Sequence, residues 1–166
     1  NIDMNGQYAV GIFNKGNADS KSDHIIINND KGVAVYGNFG ESGLDPEYMI
    51  STSKISANKL EVNGENGAVL YSKAGDIELF PLFSGGSLEI TANGKNTFAF
   101  YHETATKKLV AKSGKFIIND TVNVNLKNGG VGFYYNGNGG HADIPGYFTN
   151  IVDASNGQLN VREDEN

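Results

Sequence analysis

The stretch GVAVY, Gly32 to Tyr36, recurs along the chain with the same plan of residues. An earlier copy reads AVGIF and later copies read GAVLY, TFAFY and GVGFY, so that the aromatic endings are Phe13, Tyr36, Tyr71, Tyr101 and Tyr134. These endings are separated by 23, 35, 30 and 33 residues. A fixed motif at irregular spacing is typical of a repeat protein whose connections vary in length.

A second motif precedes most copies of the first. It alternates apolar and other residues over a few positions, as expected of a short β-strand, and its copies are III (25–27), LEV (60–62), LEI (88–90), VNVNL (122–126) and LNV (159–161). Corners rich in Asn and Gly separate the two motifs, and the chain has 22 glycines and 22 asparagines in all. Both residue types tolerate positive φ and therefore favour sharp bends.

The repeated order of strand, corner and strand predicts an all-β fold without helix. Its most direct realisation is a parallel β-helix, or solenoid, of about five irregular coils with long loop insertions, because stacked coils require the same motifs to recur. A β-sandwich or jelly roll is the alternative, but it gives no reason for an ordered pair of motifs to repeat. With 166 residues, the chain is expected to form a single domain, residues 1–166.

Stacking assigns a direction to each letter of the five-residue motif. From the alternation of a straight strand, we expect the second and fourth letters to face the core and the third and fifth to face outward. The fifth letters then form an outward column of aromatic rings, including Tyr36, Tyr71, Tyr101 and Tyr134. Such a column stabilises neighbouring coils or presents a flat binding surface, and its presence in every coil favours the structural role.

Composition excludes several classes of function. The net charge is −6 and the only arginine is Arg162, so no basic surface for nucleic acid is expected. No apolar run is long enough for a transmembrane helix, and there are no cysteines. The sequence also contains no common metal-binding, phosphate-loop or catalytic-serine motif. We therefore expect no catalytic residues, no cofactor and no metal site.

Taken together, the G-[IV]-x-x-Y repeats, the [LI]-x-[IV] strands and the Asn/Gly corners resemble the passenger region of monomeric (type V) autotransporter adhesins. The Gly/Asn-rich surface proteins of fusobacteria and their relatives are similar, over about residues 9–161. This resemblance implies a right-handed parallel β-helix, excised from a longer protein. It also implies export across the outer membrane to the bacterial cell surface or secretion, with membrane contact only through a barrel domain outside this fragment.

Two groups of residues are candidates for local chemistry. The stretch YYNGNGGHAD (134–143) places Tyr135, His141 and Asp143 around a glycine-rich loop, where solenoid proteins often carry function. Glu61 and Glu89 occupy the same place in LEV and LEI, and stacking would bring them about 5 Å apart, close to the separation in retaining glycosidases. A solvated pair neutralised by lysine is the simpler interpretation of the two carboxylates.

The leading hypothesis is a non-enzymatic adhesin segment, a β-helical stalk or binding module for adhesion or coaggregation. Its partner would be a host or bacterial surface receptor, protein or glycan. Long connections at 37–53, 72–86, 102–114 and 136–151 are expected to collect on one face of the solenoid. The alternative is a polysaccharide lyase or glycoside hydrolase on the same scaffold. Unpaired strands at the two ends also predict end-to-end self-association.

Overall fold

A computed structural model of the chain describes residues 1–38, 52–73, 75–103, 115–136 and 152–164. In these ranges every regular element is a strand and no helix occurs. The strands are β1 (Ile2–Met4), β2 (Val10–Lys15), β3 (Ala18–Ile27), β4 (Val33–Asn38), β5 (Thr52–Asn63), β6 (Ala68–Lys73), β7 (Asp76–Pro81), β8 (Ser87–Asn93), β9 (Phe98–Glu103), β10 (Phe116–Lys127), β11 (Val131–Asn136) and β12 (Val152–Glu163).

The described strands form two parallel sheets. Sheet A has seven strands in the order β1-β3-β5-β7-β10-β12, with β8 placed between β5 and β10. Sheet B has five strands in the order β2-β4-β6-β9-β11. The chain passes from one sheet to the other and adds a strand to each in turn, always in parallel. This path is a β-solenoid, so the predicted parallel β-helix and the absence of helix are confirmed.

A single apolar core fills the space between the two sheets. Its largest fully buried side chains are Ile25, Ile27, Ile55, Leu60, Leu70, Ile77, Leu79, Leu88, Ile90, Phe100, Phe116 and Ile118. In about three turns the fourth residue of the motif is fully buried in the core, namely Val35, Leu70 and Phe100. The solenoid therefore has fewer complete turns than the five coils predicted. Ile12 and Phe133 lie in the outermost described strands of sheet B, which pair with a described strand on one side only, and both side chains remain partly exposed.

Each Asn/Gly corner contains a residue of positive φ two positions before the second letter of the motif. These residues are Tyr8 (58°), Lys31 (57°), Asn66 (58°), Asn96 (56°) and Gly129 (86°). The backbone N–H groups of Lys31, Asn66 and Asn96 donate to carbonyls of the next corner along the solenoid, at 2.8, 3.0 and 3.2 Å. The corners therefore stack as regularly as the strands do. The Asn and Gly content predicted the bends but not the hydrogen bonds between successive corners.

The third letter of the motif corrects one prediction. Ala34, Val69 and Ala99 are fully buried in the core, not outward. The second letter is the more exposed one, since Val10 is 38% exposed and Phe98 packs its ring against outward tyrosines. Because the third and fourth letters both face the core, the strand must bend between them, and the alternation of a straight strand does not apply.

Sheet A bends as well, in the middle of its long strands. In β5 three consecutive residues, 55–57, are buried, and in β10 Asp120 has φ of 55° beside a shift in pairing with β12. In one coil this bend is replaced by a turn at residues 82–86. The turn divides this coil's rung, meaning its stretch of sheet A, into the two strands β7 and β8. The range 72–86, predicted as a loop insertion, therefore consists largely of strand β7 and this turn.

Candidate functional site

A polar groove of about 300 Å³ lies on the outer face of sheet A, across β8, β10 and β12. Its lining residues are Glu89, Asn123, Val124, Asn125, Asn160 and Arg162. Strand alternation sets the orientation of Glu89, because its neighbours Leu88 and Ile90 are fully buried in the core. We call this feature the Glu89 groove.

One chain of hydrogen bonds crosses the groove and ends at Glu89. Gln158 Nε2 donates to Asn160 Oδ1 at 3.0 Å, and Asn160 Nδ2 donates to Asn123 Oδ1 at 2.9 Å. Asn123 Nδ2 then donates to Glu89 Oε1 at 2.8 Å. The side chains come from three neighbouring strands in register, since Glu89 pairs with Asn123 and Asn123 pairs with Asn160.

A second chain reaches the other oxygen of the same carboxylate. Arg162 Nη2 donates to Asn125 Oδ1 at 2.7 Å, and Asn125 Nδ2 donates to Glu89 Oε2 at 3.3 Å. Arg162 Nε also lies 4.0 Å from Asp164 Oδ1. Glu89 is thus the common acceptor of two donor chains, which hold its side chain in a fixed orientation.

The predicted Glu61–Glu89 pair is not formed as two stacked carboxylates. In the register of sheet A, Glu61 pairs with Thr91 and Glu89 pairs with Lys59, so the two glutamates are displaced by two residues. Glu61 instead forms an ion pair with Lys59 Nζ at 2.9 Å and accepts from Asn63 Nδ2 at 2.6 Å. The prediction was wrong because it assumed that the similar motifs LEV and LEI occupy equivalent positions in the register of the sheet.

A solvent-exposed aromatic side chain stands on the turn that leads into β8. Phe83 is 69% exposed, the most exposed of the large apolar residues described. The turn is closed by a hydrogen bond from Gly86 N–H to the Phe83 carbonyl at 3.0 Å, and Gly85 has φ of 77°. Ser87 follows it directly and its hydroxyl lies 3.5 Å from Glu89 Oε1. The turn and the Glu89 groove are therefore close along the chain.

The predicted aromatic column is present on sheet B. Centroid distances are 5.0 Å for Phe13–Tyr36, 4.7 Å for Tyr36–Tyr71, 4.6 Å for Tyr71–Tyr101 and 4.7 Å for Tyr101–Tyr134. The Tyr71 hydroxyl donates to Glu103 Oε2 at 2.5 Å. Partial burial, and then this hydrogen bond, raise the pKa of Tyr71. Three of these four pairs are stacked and Tyr36–Tyr71 is tilted, so each ring contacts a ring of the next coil, as the structural role requires.

A ladder of asparagine side chains was missed by the sequence analysis. Each amide donates to the amide oxygen of the preceding coil, from Asn28 to Asn5 (3.2 Å), Asn63 to Asn28 (2.9 Å), Asn93 to Asn63 (2.7 Å) and Asn128 to Asn93 (2.7 Å). Four of the five are followed by glycine, as the dipeptide Asn-Gly. That recurring dipeptide was the available signal for the ladder.

Among the other predicted residues, only Tyr135 lies in the described part of the chain. Its ring is half-buried and stacks on His102 with a centroid distance of 5.4 Å. His102 itself is fully buried, and neither of its ring nitrogens has a hydrogen-bond partner among the described residues. Burial lowers the pKa of His102 to about 4. The other two predicted residues, His141 and Asp143, lie outside the described residues.

The described ranges contain no group of three or more histidine or acidic side chains placed to hold a metal ion. Across the same residues, no helix is long and apolar enough to cross a membrane.

Comparisons with protein-family models, with curated proteins and with solved structures found no match to this chain.

Proposed function

We propose that this chain is a segment of a non-enzymatic bacterial adhesin, in which a β-solenoid stalk carries binding loops for adhesion or coaggregation. The observation that carries the proposal is the position of the three long connections. Residues 39–51, 104–114 and 137–151 each join the end of a sheet B strand to the start of a sheet A strand. The strands before these ranges all belong to sheet B and the strands after them all belong to sheet A, so the described chain breaks off and resumes at the same corner of the solenoid each time.

The first coil supports the view that these connections are additions to a minimal fold. It makes the same passage, from β2 to β3, with only Gly16 and Asn17. Two residues are therefore sufficient to close the corner, and the longer connections are not required for it. Extra length collected on one face is how solenoid proteins build contact surfaces.

A parallel solenoid also suits a stalk. Each coil contacts only its neighbours, so length is added without a change of architecture. The resemblance to autotransporter passenger regions adds export across the outer membrane, a location at the bacterial cell surface or in the medium, and a barrel domain elsewhere in the parent protein. The partner is then a host or bacterial surface receptor, while the net charge of −6 disfavours nucleic acid.

The alternative, a carbohydrate-active enzyme, has weaker support. Glu61 and Glu89 are displaced in register, and Glu89 is the only carboxylate that lines the described groove. Hydrolysis by the usual pair of carboxylates needs a second one on the other side of the scissile bond.

Self-association through the solenoid ends also remains a proposal. Exposed apolar side chains occur at both ends of sheet B, with Tyr8, Val10 and Phe13 at one end and Phe133 and Tyr134 at the other. Sedimentation velocity over a hundredfold range of concentration tests it. We expect the weight-average sedimentation coefficient to rise with concentration, and a constant monomer value would reject self-association.

Adhesion can be tested with beads coated with the purified chain and applied to epithelial cells and to partner bacteria. Three variants would replace residues 39–51, 104–114 or 137–151 with the dipeptide Gly-Asn that closes the first coil. We expect at least one variant to lose adhesion while its circular dichroism and melting temperature stay near those of the parent chain. Failure of the parent chain to adhere, or equal adhesion by a variant with all three replacements, would reject the proposal.

A further inference from the structure

We propose that the Glu89 groove, together with Phe83 on the adjacent turn, binds a neutral sugar. The inference names a ligand class at a site other than the corner from which the long connections leave. It deepens the proposed function, since a glycan is one form of surface receptor, and it can fail independently of that function.

The charges in the groove disfavour ionic ligands. A metal cation would need several free oxygens, but both Glu89 oxygens already accept an N–H from an asparagine. Among the residues that the structure describes, no second carboxylate lines the groove. An anion would meet the Glu89 carboxylate, while the guanidinium of Arg162 is shared between Asn125 and Asp164. A neutral ligand avoids both conflicts.

The hydrogen-bonding capacity left in the groove matches hydroxyl groups. Asn123 and Asn160 each use one N–H and one oxygen lone pair within the network. An amide side chain has two N–H donors and two acceptor positions, so each keeps one donor and one acceptor. A sugar hydroxyl both donates and accepts, and it can satisfy these two groups together. The network fixes the amides in advance, which reduces the entropy lost on binding.

The apolar part of the inferred site is Phe83, which precedes the groove residue Glu89 by six positions along the chain. Its turn is the only interruption of the sheet A rungs in the described chain, because β3, β5, β10 and β12 pass the same point as continuous strands. The interruption leads directly to Ser87 and Glu89. An exposed ring offers its face to the C–H surface of a pyranose, while polar side chains orient the hydroxyls, as in other small-ligand sites.

A peptide is the less suitable ligand for this surface. Extended peptides usually bind by adding a strand to the edge of a sheet. The Glu89 groove lies on the face of sheet A, where β8, β10 and β12 already pair with one another through their backbones. The spare donors and acceptors of Asn123 and Asn160 remain available there, and these side-chain groups can bind hydroxyls without a free backbone.

The test is an NMR titration of the complete ¹⁵N-labelled chain with maltotetraose, cellotetraose and chitotetraose as neutral probes, and with tetragalacturonate as an anionic comparison. We expect at least one neutral probe to shift the backbone signals of residues 83–89 and the side-chain amide signals of Asn123 and Asn160. Phe83→Leu should weaken its binding about tenfold, which corresponds to about 1.4 kcal/mol. Glu89→Gln should weaken it by a similar factor, because it breaks the convergence of the two donor chains.

Matched variants make the result specific to the groove. Asn160→Ala removes an exposed amide of the groove, and it tests the site even if Glu89→Gln disturbs the fold. Glu61→Gln and Tyr8→Ala change a neighbouring carboxylate and a distant exposed ring, and both should bind as the parent chain does. The inference is overturned if no neutral probe shifts these signals, if Phe83→Leu and Asn160→Ala bind unchanged, or if tetragalacturonate binds more tightly. If the chain adheres to cells but binds no neutral probe in this titration, the adhesion proposal stands and the sugar site is rejected.

Discussion

The aromatic column on sheet B and the Glu89 groove on sheet A are built on the same scaffold in opposite ways. The column repeats one ring in every coil, and each ring packs against the ring of the next coil at centroid distances of 4.6 to 5.0 Å. The groove draws different residues from three strands and occurs next to the one broken rung of the described sheet. Repetition stabilises neighbouring coils, whereas a feature present once can distinguish one ligand from another.

The largest expected effect comes from breaking the repeated part at a corner. Gly94 has φ of 148°, and a Cβ placed there would lie 2.0 Å from the Gly64 carbonyl oxygen of the preceding coil. We expect Gly94→Ala to reduce the free energy of unfolding by about 4 kcal/mol, because the backbone must move to admit the methyl group. Urea denaturation followed by circular dichroism measures the change.

Gly132→Ala is the control for this prediction. A Cβ at Gly132 would meet only the Leu126 Cδ1 atom, at 3.8 Å, and the same letter of the motif is already alanine at Ala34 and Ala99. Its stability should be within about 0.5 kcal/mol of the parent chain. Similar losses for the two glycine variants would show that corner stacking is not what the fold depends on.

The next effect comes from His102, which is fully buried near the end of strand β9. Its pKa is about 4 when folded and 6.5 in the reference state, so the unfolded chain binds the proton more readily. The stability that depends on neutral His102 is complete above pH 6.5 and is lost as the pH falls towards 4. Between pH 7.5 and pH 4.5 we expect this group alone to cost about 2 to 3 kcal/mol.

His102→Phe keeps a ring beside Phe116 and Tyr135 but cannot be protonated. Urea titrations at the two pH values should therefore show a smaller acid loss for the variant than for the parent chain. His102→Leu serves as a second replacement if the larger ring does not fit. Equal losses in all three chains would mean that His102 does not stay neutral in the fold.

A smaller loss of stability is expected when one ring of the aromatic column is removed, and the loss should be larger in the middle of the column than at its end. Tyr71 packs against two rings, tilted against Tyr36 and stacked on Tyr101, whereas Phe13 stacks on Tyr36 alone. Tyr71→Leu should cost about 2 kcal/mol and Phe13→Leu about 1 kcal/mol, since each ring pair contributes roughly 0.5–1.5 kcal/mol beyond burial. Thermal and urea denaturation check the ratio, and an equal cost at both positions would argue against a cooperative column.

The smallest of the expected stability changes concerns the asparagine ladder. Asn63 donates to Asn28 and accepts from Asn93, in a ladder that is largely exposed. Asn63→Ala should cost about 1 kcal/mol, because hydrogen bonds near water contribute little net stability. Asn156→Ala, on an exposed part of β12, is the matched control and should change stability by less than about 0.5 kcal/mol. Equal stability changes for the two variants would mean that the asparagine ladder does not stabilise the fold.

The sequence was sufficient to predict the parallel solenoid and the aromatic column, because both follow from the repetition of one motif. It was insufficient for the orientation of Ala34, Val69 and Ala99, since the alternation assumed a straight strand and the motif bends at its third letter. A small residue at that letter in every copy except Val69 was a sign of the close packing found there.

Register was the second limit of the sequence analysis. LEV and LEI have the same spelling, but the corners Asn63-Gly64 and Asn93-Gly94 fix the alignment, and LEI lies two residues further from its corner than LEV does. Counting back from the corners gives the observed pairing of Leu60 with Ile90. The Glu89 groove depends on this register and on three strands brought together by the coil, so no local pattern could have predicted it.

The central claim, that repeated rings hold the fold while a single ring recognises a ligand, is tested most directly by two matched substitutions measured in two assays. Tyr71→Leu and Phe83→Leu each remove one aromatic ring, and each protein would be measured by urea denaturation and by titration with the neutral tetrasaccharide that binds the parent chain. The account predicts that Tyr71→Leu loses about 2 kcal/mol of stability and keeps its affinity, while Phe83→Leu keeps its stability and binds about tenfold more weakly. The reverse pattern, or equal effects of both substitutions in both assays, would contradict it.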